Sequence, residues 1–186
     1  GIMNIYRIIS FISIFSKIIE IIIKDRITHF LESNIPMDIH QYGFIKNSGT
    51  LAATFDLVNY ISKALDEKYF VVAVFVDLRK AFDVVSIDKL LTKLNNMGVR
   101  DTVHKLLSSF LCDRTQYVKL GEEVSELLTN SYGVPQGSVL GPLLYSLYVL
   151  NLKAANLQAK YFTFADDTVL IYTARNELEL QTLVNE

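Results

Sequence analysis

The run Val71-Val72-Ala73-Val74-Phe75-Val76 does most to limit what this chain can fold into. It is apolar on both faces and ends on a carboxylate, Asp77. Six such residues without alternation describe a strand buried on both sides, in the middle of a sheet. An ionised carboxylate closing that strand is costly unless it is paired or binds a cation. Asp77 also has a plainer reading, as a strand-end acid accepting backbone hydrogen bonds. The pattern returns near the other end. Residues 160–164 and 168–173 read as strands joined by Ala165-Asp166-Asp167. Asp is a common turn residue. Two adjacent acids repel, however, and a divalent cation with oxygen ligands would relieve that. Pairing of the two strand regions would bring Asp77 beside Asp166. Such a site could hold two metal ions about 3.5–4 Å apart, the spacing used for in-line phosphoryl transfer.

The rest of the sequence alternates helix and strand. Residues 13–31 read as helix, and residues 35–50 as loop punctuated by Pro36, Gly43 and Gly49. Residues 50–68 read as a helix with Leu51, Phe55, Val58 and Leu65 near one face. Ser86 can cap a helix that runs to about Met97 and stops at Gly98. Residues 102–111 form another helix, residues 115–120 and 123–132 two strands around Gly121, and residues 137–152 an apolar helix. A hairpin with segregated helices predicts an α+β fold rather than a doubly wound sheet. The length of 186 residues suits one domain, and the single Cys112 excludes an internal disulfide. The chain opens on Gly1 and stops inside a helical pattern after Asn176, which reads as a piece of a longer protein.

Ile crowds the first quarter. A spanning helix needs about 20 apolar residues. The best window, residues 8–23, is shorter and carries Lys17 and Glu20, three apart and so on one helix face. The expectation is an amphipathic, mostly buried helix; a membrane-associated interaction protein built on this segment is the competing reading. The net charge of −2 leans, taken alone, against a nucleic-acid partner.

A third segment, Gly133-Val134-Pro135-Gln136-Gly137-Ser138-Val139-Leu140-Gly141-Pro142-Leu143-Leu144, places two Gly and a Pro ahead of a helix. The helix start would offer backbone donors to an anion or a nucleotide, and Gly137 would allow close approach of a backbone or base pair. With Phe75-Val76-Asp77-Leu78-Arg79-Lys80-Ala81-Phe82-Asp83 and Phe164-Ala165-Asp166-Asp167-Thr168, it resembles, in order, the three palm motifs of reverse transcriptases of the non-LTR retrotransposon type. The likeness extends over essentially the whole chain. Tyr6-Arg7-Ile8-Ile9-Ser10 resembles a fingers motif, residues 16–20 and 25–27 the helix after it, and Gln41-Tyr42-Gly43-Phe44 the start of the next.

This resemblance implies a right-hand polymerase palm, an antiparallel sheet with packed helices, plus part of the fingers. The fingers would take residues 1–68 and the palm residues 69–186, with thumb and endonuclease lying elsewhere. It implies RNA-templated extension of a DNA primer by dNTPs. Asp77, Asp166 and Asp167 would hold two Mg²⁺ ions, or Mn²⁺. Phe82 would be the steric gate that leaves no room for a 2′-hydroxyl. Gln136 and Gly137 would lie by the incoming nucleotide and template base, Leu78 by the nucleotide and Ala165 by the primer end. Arg7 would contact the triphosphate. No membrane partner is implied, and the parent element would act in the nucleus. The sequence departs from the family pattern at Ile8, where Pro is usual, at Ile45, where Arg is usual, and near Ser48 or Gly49, where a second Arg is common. After Asp83, Ser86-Ile87 replaces a common Asp-His pair. Fewer cations would weaken the grip on phosphates. A catalytically inert remnant of such a polymerase is therefore the alternative.

Overall fold

The computed structural model describes residues 9–34, 42–43, 49–150 and 158–185. The chain forms two compact units, each built from two stretches of sequence. One takes Gly1–Met37 with Lys80–Tyr148; the other takes Asp38–Arg79 with Val149–Glu186.

The second unit holds the sheet. Strands β1 (Phe70–Asp77), β6 (Lys160–Phe164) and β7 (Asp167–Ala174) are antiparallel in the order β1-β7-β6. Helices α2 (Thr50–Asp66) and α6 (Glu177–Asn185) belong to the same unit. The period-2 alternation of a strand sorts the side chains. Val71, Val169 and Ile171 pack with Ala53, Leu57, Tyr60 and Ile61 of α2. Val72, Val74, Leu170 and Tyr172 pack with Leu180, Leu183 and Val184 of α6.

Two expectations are corrected here. The apolar strand β1 is an edge of this sheet, not its centre. The tight β6–β7 hairpin makes β7 the middle strand, and Phe75 is left 75% exposed. In α2, the stripe Leu51, Phe55, Val58 and Leu65 faces solvent. The helix carries a second stripe of Ala53, Leu57, Ile61 and Ala64 at the same spacing, and this flatter one packs on the sheet.

The first unit is mostly helical: α1 (Ile14–Asn34), α3 (Ile87–Asn96), α4 (Asp101–Leu111) and α5 (Leu140–Val149). Its core includes Leu31, Leu90, Leu94, Leu107, Leu111, Leu140 and Leu144, each fully buried. Helix α3 starts as its sequence dictates, Ser86 Oγ accepting the Lys89 N–H at 3.4 Å. Helix α5 begins at Leu140, three residues later than expected, because Gly137 adopts φ +97°. At its far end Lys93 Nζ donates to Tyr148 O at 2.9 Å, a cation at the negative end of the helix dipole.

Helix α1 is not mostly buried. Phe15, Ile18, Ile19 and Ile22 are at least half exposed, and only Glu20, Ile27 and Leu31 are buried. Apolar residues spread around the helix, so no single face can sequester them. Lys17 and Glu20 therefore part company: Lys17 is exposed and Glu20 is buried. No helix among the described residues is long and apolar enough to cross a membrane.

The strands expected at residues 115–120 and 123–132 appear only as two-residue ladders. They are β2 (Thr115–Gln116) with β5 (Leu128–Thr129), and β3 (Lys119–Leu120) with β4 (Glu123–Val124). The register slips by one residue between the two ladders, as at a bulge. There Ser125 Oγ accepts the Val118 N–H at 2.8 Å.

Candidate active site

The β1–β7 register decides which acids meet. Asp77 at the end of β1 stands opposite Asp167 at the start of β7, after an unbroken ladder from Phe70↔Ala174. Directly opposed residues share a face. Alternation puts both carboxylates on the face of Val71, Val169 and Ile171, at its open end beside Phe75. Both acids are exposed. The expected neighbour of Asp77 is Asp166. The difference arises because the hairpin turn consumes only Ala165 and Asp166, so that Phe164 pairs with Asp167 and Asp167 joins the strand. Asp166 is half-buried in the turn. Ala165, at φ +57°, is in the left-handed region and makes the turn tight. Leu78 follows β1 and is 45% exposed.

Among the described residues, no group of three or more Asp, Glu, His or Cys side chains is gathered closely enough to hold a metal ion. The donor set itself suits a hard divalent ion. Asp77 and Asp167 are carboxylates in register and Asp166 is adjacent, so the ligands are all oxygen.

The segment Tyr42-Gly43 braces this hairpin. Tyr42 N–H donates to Thr163 O at 2.8 Å, and its ring stacks on Phe162 at 6.4 Å between centroids. Its hydroxyl donates to Asp56 Oδ2 at 2.7 Å. Burial first, and then that bond, hold the phenol far above its ordinary pKa, so it stays a donor. Gly43 lies against the turn, and a Cβ there would overlap Ala165 N. Sequence reading places Gly43 in a motif but not against the acids. No local signal marks it, because a Gly in a loop is already explained as punctuation.

The remaining expected residues lie in the other unit. Phe82 is half-buried, its ring stacked on Tyr145 at 4.7 Å and 23°, and its carbonyl accepts the Val134 N–H at 2.9 Å. Gln136 is half-buried and Gly137 exposed. The start of α5 is not open to an anion, contrary to expectation. Glu20 Oε2 accepts Val139 N–H and Leu140 N–H at 2.7 and 3.0 Å, and Ser138 Oγ accepts Gly141 N–H at 2.8 Å. Pro142 has no N–H, so the first turn is satisfied from within the protein. Arg7, Ile8, Ile45 and Ser48 lie outside the described residues. A cleft of about 830 Å³ opens beside Gln136, and Lys80, Arg114, Gln116, Asn130 and Tyr132 line it. Asn130 Nδ2 donates to Gln116 Oε1 at 3.1 Å. Sequence reading does not single out this cleft, because its residues are scattered along the chain.

The family model described as "Reverse transcriptase (RNA-dependent DNA polymerase)" matches residues 3–186. The chain belongs to the reverse transcriptase family. Its relatives include non-LTR retrotransposon polymerases of Drosophila melanogaster. It is 35% identical over 176 residues to a probable RNA-directed DNA polymerase from transposon BS, covering 91% of this chain and 19% of that protein. It is 29% identical over 180 residues to the RNA-directed DNA polymerase from mobile element jockey, covering 93% and 20%. The chain thus spans about a fifth of the length of these curated relatives. An apo telomerase from Candida tropicalis, truncated from its C-terminal domain, matches in fold with a TM-score of 0.61 at 14% identity, covering 88% of this chain and 35% of that one. A telomerase from the same species, in complex with a TWJ fragment of telomeric RNA, also has a TM-score of 0.61, at 13% identity over 92% and 32%. The α+β polymerase palm with part of the fingers, expected from sequence, is the fold observed. Reverse transcriptases as a family use divalent metals.

Proposed function

We propose that this reverse transcriptase segment supports RNA-templated extension of a DNA primer by dNTPs, with residues 1–68 in the fingers and residues 69–186 in the palm. The observation that carries the reading is the register that sets Asp77 opposite Asp167, one residue from Asp166. Asp77, Asp166 and Asp167 would hold two divalent ions, Mg²⁺ or Mn²⁺. When bound, such ions lower the pKa of the attacking primer hydroxyl and stabilise the leaving pyrophosphate. The protein's own part is positioning. The β6–β7 turn presents Asp166, and Ala165 at its tip would lie by the primer end. Leu78 would flank the nucleotide, Gln136 and Gly137 would contact the nucleotide and template base, and Arg7 the triphosphate. The inert-remnant reading has no observation in its favour.

Phe82 would act as the sugar gate, and its stack on Tyr145 supports this by fixing the ring. Phe82→Val is expected to lower the preference for dNTP over rNTP by about 10–100-fold. Competitive incorporation on one template measures it; an unchanged preference would remove Phe82 from that role.

The cleft beside Gln136 would guide the template strand. Lys80 and Arg114 supply cations, and Tyr132, 64% exposed, supplies a stacking surface. Each cation that neutralises a phosphate of a single strand adds about 0.7 to the salt slope of binding. Arg114→Ala is expected to weaken RNA binding and to flatten the slope by that amount in anisotropy titrations. The function as a whole is tested by Mg²⁺-dependent extension of a DNA primer on an RNA template, where product that does not follow the template would sink it.

A further inference from the structure

Glu20 lies between Ile19 and Ile21 in α1, and only 3% of it is exposed. A carboxylate so buried needs hydrogen-bond donors, and it finds them far away in sequence. Its Oε2 accepts Val139 N–H at 2.7 Å and Leu140 N–H at 3.0 Å, closing the first turn of α5. The stretch just before α1 grips the same loop a second time. Ser10 N–H donates to Gln136 O at 2.8 Å, and a Cβ on Gly137 would come within 3.1 Å of Ser10 O. Residues 136–140 are therefore held between two anchors from residues 10–20. Capping alone does not explain this. Ser138 already caps α5 locally through Gly141 N–H, and the other carboxylate oxygen, Oε1, is buried without a partner. A helix start needing only stability is served by a nearby Ser, Thr or Asp. What Glu20 adds is a tie between α1 and the loop.

We infer that Glu20 is a positioning residue, whose carboxylate sets where Gln136 and Gly137 stand. This rests on the proposed placing of those two residues at the nucleotide. The tie has two consequences, amide exchange measured on this chain and nucleotide incorporation measured in a polymerase that carries the thumb. In Glu20→Ala, amide exchange at Val139 and Leu140 rises about 10–100-fold, the worth of hydrogen bonds to a charged acceptor. Protection in β6 and β7 stays as it was. Glu20→Gln, whose amide oxygen can accept both bonds, keeps most of the protection. Should Glu20→Ala exchange throughout, Glu20→Asp is read instead, its carboxylate one methylene short. Unchanged protection at Val139 and Leu140 in Glu20→Ala, or in Glu20→Asp where that variant is the one read, overturns the tie.

In templated incorporation, Glu20→Ala raises KM for dNTP about tenfold, with kcat per titrated active site held within about threefold. Glu20→Gln restores KM. A purely structural role lowers the active fraction and leaves KM unmoved, and that result overturns the positioning role. If the unaltered polymerase, thumb included, incorporates no nucleotide, the proposed function fails by itself, while amide exchange still decides the tie.

Discussion

Asp166→Asn is expected to cut templated dNTP incorporation by at least about a thousandfold, the scale of several kcal/mol of metal-borne stabilisation of the transition state. The substitution keeps size and shape and removes one charge. Asp166 is half-buried in a two-residue turn, and the β6–β7 ladder on either side does not depend on its carboxylate. The fold should therefore survive, and melting temperature should change by no more than a few degrees. Primer extension in a polymerase that carries the thumb, compared at equal folded protein, measures the loss. Undiminished Mg²⁺-dependent extension by the variant would refute the assignment. An inert remnant predicts no activity to lose, so a measurable rate in the unaltered protein also settles against that reading.

Gly43→Ala should cost both stability and activity. An added Cβ would overlap Ala165 N and sit 2.8 Å from Ala165 Cα and 3.2 Å from Phe164 C. These are backbone atoms, which cannot swing aside as a side chain can. Either Tyr42 gives up its hydrogen bond to Thr163 or the turn that carries Asp166 shifts. Overpacking of this kind costs about 1–3 kcal/mol, which for a chain this size is roughly 2–12 °C in melting temperature. A displacement of about 1 Å at the acids would cost about a hundredfold in rate. The unaltered protein is the reference, because Gly49, the other glycine of this stretch, caps the start of α2, where Ala is itself disfavoured. A melting temperature and rate equal to those of the unaltered protein would show that Gly43 does not brace the hairpin.

What could be read from the sequence divides along a physical line. Local signals were faithful. Ser86 caps α3, Gly98 ends it at φ +89°, and the acids at 166 and 167 sit at a hairpin. Those features depend on neighbours a few residues apart. Non-local choices were not readable. Helix α2 carries two apolar stripes, and nothing in its own sequence says that Ala53, Leu57 and Ile61 rather than Leu51, Phe55 and Val58 will meet the sheet. The strand β1 looks central because it is apolar throughout, yet its place at the edge is set by β6 and β7, far along the chain. Glu20 looks like an interruption of an apolar helix; its partners lie 119 and 120 residues away. The acidic balance misleads in the same way. The net charge of −2 leans against nucleic acid, but the family assignment shows that a whole-chain sum says little about where cations stand. Lys80 and Arg114 line one cleft, while Asp166 and Asp167 sit at the β6–β7 hairpin.

The proposed function requires that Asp77, Asp166 and Asp167 form one divalent-ion site. Substituting Fe²⁺ for Mg²⁺ and generating hydroxyl radicals cuts a polypeptide next to bound metal, and it does so without any need for turnover. The prediction is cleavage at residues 76–78 and 165–168, suppressed by excess Mg²⁺ and abolished in Asp77→Asn. Cleavage elsewhere, or cleavage at these positions that persists in Asp77→Asn, would contradict it.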